Sequence, residues 1–168
     1  TDQLVLTGQI NDVGDYTRRN VDISYRSGLE LEAAYRLSNK LSFTGNTTIS
    51  NNRIKAFNEY VDNYDNYDEN GNMIQDTINH SNTDLAFSPN IIASAGLQYE
   101  PLKGMSIRFL GKHVGDQFLD NTSTETRRLN AYTTCDLHVN YTLKNILFKE
   151  MTFSSVSYTH LTLPTNPE

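Results

Sequence analysis

Tryptophan is absent, cysteine occurs once, and no Lys/Arg run exceeds two residues in this 168-residue chain. A lone Cys135 excludes an internal disulfide framework and any zinc site built on several cysteines. The missing basic stripe, with a net charge of −6, removes nucleic acid from the partners to be considered. No stretch approaches the roughly 18 consecutive apolar residues of a membrane helix. That excludes a helical span only, because barrel strands carry their apolar surface in alternation. Alanine, leucine and lysine are too sparse for a helical bundle. Ten tyrosines, seven phenylalanines and abundant Asn, Thr and Ser suit extended structure instead.

Period-two alternation dominates the pattern. Leu29, Leu31, Ala33, Tyr35 and Leu37 occupy one parity, with Glu30, Glu32, Ala34 and Arg36 on the other. A short turn, Ser38-Asn39-Lys40, leads into Leu41, Phe43, Gly45, Thr47 and Ile49 against Ser42, Thr44, Asn46, Thr48 and Ser50. The same hairpin recurs from Asn90 to Glu100, through Pro101-Leu102-Lys103-Gly104, and back along Met105, Ile107, Phe109 and Gly111. A third outgoing strand places Ala131, Thr133, Cys135, Leu137, Val139, Tyr141 and Leu143 on one face, and its return begins near Met151 and Phe153.

Connections alternate between a few residues and long polar segments, roughly Asn11 to Tyr25, Asn51 to Ser88 and Gly115 to Leu129. Compact soluble domains rarely hold structureless loops beyond about 12–15 residues. Short turns on one side and long loops on the other are a habit of outer-membrane barrels. Strand length separates a membrane wall from a soluble sandwich: these runs suit tilted membrane strands of about 9–11 residues better than globular strands of about 5–6. Tyr35, Tyr99 and Tyr141 each stand two residues before the end of an outgoing run, which predicts an aromatic girdle at one level. The predicted fold is all-β, an antiparallel transmembrane β-barrel segment. Its predicted lipid-facing wall is Leu29, Leu31, Tyr35, Phe43, Leu97, Tyr99, Leu137 and Tyr141, with Glu30, Glu32, Arg36, Arg108 and Lys112 toward water.

Several long stretches carry a family resemblance: DQLVLTGQINDVGDYTRRNV from Asp2, SYRSGLELEAAYRLSNKLSFTGNTTISNNRIKAF from Ser24, DLAFSPNIIASAGLQYEPLKGMSI from Asp84, and VGDQFLDNTSTETRRLNAYTTCDLHVNYTL from Val114. Together, from Asp2 to about Ser154, they resemble the late, C-terminal-side strands of TonB-dependent outer-membrane receptors. The resemblance implies six to seven strands of a barrel of about 22, plugged by an N-terminal domain. It implies a place in the bacterial outer membrane and energy-coupled import of a scarce ligand: a siderophore, cobalamin, oligosaccharide or peptide. The implied partners are membrane lipid, the plug and the rest of the barrel, and the TonB energising complex. A passive porin-type barrel and a soluble carbohydrate-binding β-sandwich are the alternatives. Residues 1–154 are read as the partial barrel domain. Residues 155–168, ending Pro167-Glu168 where the family usually ends on an aromatic residue, resemble a translated adapter and are read as a non-native tail.

Catalytic chemistry finds no support in the pattern. His80, His113, His138 and His160 are scattered, none at metal-ligand spacing, and no nucleophile elbow is present. No catalytic residue, metal or cofactor is assigned. The segment from Asp62 to Asn72 can be aligned as a hand-type calcium loop on Gly71, but its twelfth position is then Thr77 rather than Glu. Tyr60, Asp62, Tyr64, Asp65 and Tyr67 are the candidate ligand contacts, since tyrosines interspersed with carboxylates suit sugars or metal chelates.

Overall fold

Alternating sequences form strands here because one face of the ribbon stays apolar while the other stays hydrated. The computed structural model describes residues 3–10, 15–21, 23–69, 71, 73–145 and 149–162. Two compact units result: residues 1–27, 51–88 and 117–129 in the first, and 28–50, 89–116 and 130–168 in the second.

The second unit is a sheet of long antiparallel strands. β3 (Ser24–Arg36) and β4 (Leu41–Tyr67) each pass from one unit into the other, and β6 (Ile91–Tyr99), β7 (Met105–Val114), β10 (Tyr132–Lys144) and β11 (Glu150–Thr162) follow. The strand order is β11-β10-β7-β6-β4-β3, so sequence neighbours pair as hairpins, with β6 beside β4. Along β4, residues Leu41 to Ile49 pair with β6, and Arg53 to Tyr67 pair with β5 (Met73–Asp84). The change of partner falls at Pro89, which has no N–H to give a ladder. There the Ser50 amide donates to Asn90 O at 2.8 Å, and the Leu85 amide to Asn52 O at 3.1 Å.

Register joins the apolar parities into rows. Phe43 faces Leu97, Leu97 faces Phe109, and Phe109 faces Leu137, across four consecutive strands. Nothing of protein covers this face among the described residues of the unit, where Val114 is the single buried hydrophobic side chain. Leu31, Leu97 and Leu137 retain 54%, 43% and 42% of their exposure. A closed two-layer sandwich would bury all three, so that alternative fails.

The tyrosines show a stagger that the sequence expectation lacked. Tyr99 faces Ile107, and Ile107 faces Val139, so Tyr141 stands two residues further along after two strand spacings. With about 3.4 Å per residue and about 4.8 Å between strands, the line joining the rings leans about 35° from the strand perpendicular. Barrel strands tilt by about 35–45°, an angle of the same size as this lean.

The long polar segments are not structureless, contrary to the sequence expectation. Asn51 to Ser88 holds the outer half of β4 and all of β5 as one hairpin. Its Asn, Asp and Tyr content reads as turn material locally, but ladder hydrogen bonds and a small core outweigh that propensity. The first segment holds β2 (Tyr16–Val21), paired with β1 (Gln3–Ile10); residues 11–14 lie outside those described. The third holds two short paired strands, β8 (Gln117–Phe118) and β9 (Arg128–Leu129), and a 3₁₀ turn at Glu125–Arg127. Val5, Val21, Ile54, Phe57 and Leu85 form the core of this first unit.

β11 carries a change of phase. Met151 and Phe153 extend the apolar face opposite Leu143 and Tyr141, but Ser155, Ser157 and Thr159 then meet Val139, Leu137 and Cys135. Val156 and Tyr158 fall on the polar face, where the Tyr158 ring meets His138 edge-on at 6.3 Å.

Gly104 closes the β6–β7 turn at φ +85°, and a Cβ there would meet Thr142 O at 2.4 Å. Gly71, at φ +81°, has nothing within 4 Å of its would-be Cβ. Gly71→Ala should therefore cost only the backbone conformation, about 1–2 kcal/mol. Gly104→Ala adds the collision and disturbs the bond from the Thr142 amide to Gly104 O. Urea unfolding of the receptor in detergent micelles, followed by heat-modified gel mobility, is expected to show the larger loss for Gly104→Ala; equal losses would refute the steric argument.

Candidate functional site

The candidate contacts sit on the β4–β5 hairpin of the first unit. Residues two apart on a strand share a face, so Tyr60, Asp62 and Tyr64 point together while Asp65 and Tyr67 start from the other parity. The ladder also loses regularity between Asn63 and Tyr67. Tyr60, Asp62 and Tyr64 line one hollow of about 300 Å³ together with Glu59 and Val61 of the other parity, and Gly8 and Arg127 complete it. Asp65 and Tyr67 lie outside its walls: the Asp65 amide donates to Asn63 Oδ1 at 3.1 Å, and Tyr67 faces Met73 at the hairpin end.

Asp62 is held rather than free. The Gln75 side-chain amide donates to Asp62 Oδ1 at 2.8 Å and to Gly8 O at 2.8 Å, tying β1 to the hairpin. Gly8 is required at this approach, because a Cβ there would meet Tyr60 O at 2.2 Å.

A run of charges missed by the sequence reading fixes the far wall. Asp120 receives a short hydrogen bond from Arg127, whose guanidinium also lies 3.6 Å from Glu59 Oε1. The other Glu59 oxygen sits 2.7 Å from His80 Nε2, and the His80 ring stacks on Phe57 with centroids 5.0 Å apart. Burial pushes the Asp120 carboxyl upward, but hydrogen bonds from the Thr122 hydroxyl and amide, and then Arg127, outweigh it and leave it below the usual 3.8. The Arg127 guanidinium is pushed up by its bond to Asp120. Ser123 and Asn121 add further ties, accepting from the backbone amides of Asp84 and Ala86 at 2.7 and 2.9 Å. Only the Asp120–Thr122–Arg127 part of this network is local in sequence; Glu59, His80, Asp84 and Ala86 reach it from other segments.

Hand-type calcium geometry is not what this segment adopts. Thr77, the would-be twelfth position, pairs with Tyr60 in the β4–β5 ladder, and strands rather than helices flank the turn. The Gly71 amide donates to Asp68 O at 3.0 Å; Asn70 and Asn72 lie outside the described residues. No group of three or more His, Cys, Asp or Glu among the described residues could hold a metal ion. Of the other histidines, His113 Nδ1 bonds Thr133 Oγ1 at 2.9 Å.

Charge separates the two units. Seven Lys/Arg and thirteen Asp/Glu fall in the first, seven and seven in the second, so the whole net charge of −6 belongs to the unit with the hollow.

A sheet polar on one face, uncovered and apolar on the other, with short turns and elaborated loops, defines the wall of a membrane β-barrel. The family model described as TonB dependent receptor-like, beta-barrel, matches residues 1–157, and the chain belongs to that family. It is a family of outer-membrane receptors and transporters rather than of enzymes. No curated protein and no solved structure matches the chain.

The Asp120 contacts predict a pH dependence. Its folded-state value lies below 3.8, so its stabilising contribution is complete above about that pH and is lost as pH falls through the depressed value. Hydrogen exchange of the Thr122 amide, corrected for intrinsic rate, should stay slow from neutral pH down to about 4.5 and quicken below 3.8. Asp120→Asn should quicken it at every pH; unchanged protection in that variant would show that the carboxylate does not hold the loop.

Proposed function

We propose that this chain is part of the wall and outer loops of an energy-coupled importer in the bacterial outer membrane. The observation that carries the reading is the row Phe43–Leu97–Phe109–Leu137, apolar across four strands and left uncovered by the described residues of its unit. Hydrocarbon is the medium in which such a face is stable, and a closed ladder is how strands satisfy their backbone there. Leu29, Leu31, Tyr35, Phe43, Leu97, Tyr99, Leu137 and Tyr141 are then the lipid contacts. Glu30, Glu32, Arg36, Arg108 and Lys112 face the lumen, where the family's plug domain resides. Ligand is taken up at the hollow holding Tyr60, Asp62 and Tyr64, and the TonB complex supplies the energy through the plug. Family membership favours this over a passive porin.

Leu31 stands four residues from the Tyr35 girdle position, near the middle of an apolar band about 25 Å tall. Leu31→Arg in the full receptor is expected to weaken folding by about 2–4 kcal/mol, and Glu32→Lys to be nearly silent. Reconstitution into lipid vesicles with urea titration measures both, and equal losses would overturn the inside–outside assignment.

The reading also accounts for the phase change in β11. A native wall strand would keep apolar residues opposite Val139, Leu137 and Cys135, where Ser155, Ser157 and Thr159 stand. Residues 155–168 are therefore read as foreign to the barrel, although the family match extends to 157. Resequencing the source locus across the Ser154 codon should reveal a different continuation, apolar at alternate positions; the same frame running on through this tail would refute its foreign origin.

A further inference from the structure

A second hollow in the first unit, of about 230 Å³, lies where the β1–β2 hairpin meets the middle of β4. Its floor is buried: Thr7 and Val21 are 5% exposed, and Phe57 is 8% exposed. Arg19, Asn20, Asn58 and Tyr60 supply polar groups around it. The Thr7 hydroxyl is enclosed and has no hydrogen-bond partner among the described residues; Gln9 Oε1 and the Thr83 hydroxyl share that state but line neither hollow. Buried polar groups are nearly always paired, so an orphan hydroxyl lining a hollow calls for a physical explanation.

We propose that this hollow is a subsite for a neutral sugar ring, which deepens the importer reading and rests on it. A hydroxyl and two carboxamides each donate and accept, as do the vicinal hydroxyls of a sugar, and Arg19 adds a fork of donors. Among the described residues no carboxylate lines the hollow, so these supply none of the carboxylate ligands that a divalent cation favours. The net charge of −6 carried by this unit opposes a polyanion. Val21 and Phe57 offer an apolar floor to the C–H face of a ring. The space is smaller than the roughly 300–1,000 Å³ of pockets that enclose drug-sized ligands, so it takes one unit of an extended chain. Tyr60 also lines the larger hollow with Asp62 and Tyr64, so neighbouring sugar units can occupy the two hollows on either side of it.

Thr7→Val tests this sharply, because it removes the hydroxyl while keeping the side-chain shape. A hydroxyl without a protein partner contributes nothing to the fold that valine would lose. The intact receptor in detergent would be titrated calorimetrically with maltohexaose, xylohexaose, mannohexaose and laminarihexaose. Parallel arms would use hexagalacturonate, a ferric catecholate and a tripeptide. At least one neutral hexasaccharide should bind, with affinity reduced about tenfold by Thr7→Val while the melting temperature without sugar is unchanged or raised. Asn58→Ala should weaken the same sugar. Binding of none of the four neutral sugars, tighter binding of hexagalacturonate, or an affinity unmoved by both variants would overturn the proposal. Binding of the chelate or the peptide alone would overturn the sugar subsite and leave the importer standing. The importer itself falls instead if Leu31→Arg folds as well as Glu32→Lys.

Discussion

Parity is the constraint on which this structure depends. Side chains on a strand alternate with a period of two, so a one-residue slip at any interface sends a whole apolar set to the wrong face. Here odd-numbered residues pair with odd-numbered residues from β4 through β6, β7 and β10 to β11. Each strand's apolar parity therefore adds to the same surface, and the rows become continuous. β11 shows the consequence of losing phase: its register is kept, yet Ser155, Ser157 and Thr159 lie in a row that Leu137 and Val139 would otherwise continue.

The two units differ in how much apolar surface they bury, and the proposed reading gives them different solvents. A wall in hydrocarbon needs no protein core, because lipid covers its apolar side and the ladder satisfies its backbone. That explains a sheet of long strands with one buried hydrophobic side chain among its described residues. Segments that stand in water must bury something of their own. Val5, Val21, Ile54, Phe57 and Leu85, drawn from two separate stretches, do this for the first unit. So small a core gives modest stabilisation, and the Asp120–Arg127–Glu59 contacts and the Gln75 amide add specific ties where burial is limited.

The wall was legible in the sequence because alternation is a local signal, and each strand of the second unit declares its own faces. Ser38-Asn39-Lys40 and Pro101 to Gly104 likewise announce their turns by composition. The hairpin from Asn51 to Ser88 was hidden because Asn, Asp and Tyr reach a strand only when a partner strand and a core hold them there. Tyr60, Asp62 and Tyr64 could be singled out from residue type, and they line one hollow with Glu59 and Val61. Asp65 and Tyr67 share their composition but lie past Asn63, where the ladder loses regularity. Glu59, Arg127, Gly8 and Thr7 were invisible, since their roles depend on contacts between different segments, as between Glu59 and Arg127 or Gly8 and Gln75.

Separating wall from loops also separates the requirements of stability from those of recognition. Substitutions on the wall are limited by hydrocarbon on one side and by parity everywhere, which leaves little room for adapting to a ligand. The first unit holds the net negative charge and the buried hydroxyls of Thr7 and Thr83, which lack a partner among the described residues, and such features would be costly inside a membrane. Such features persist where water can screen charge and where binding offsets a local loss of stability. On the proposed reading, changes at Thr7, Arg19, Asn58 or Tyr60 alter ligand preference without disturbing the rows that hold the barrel together.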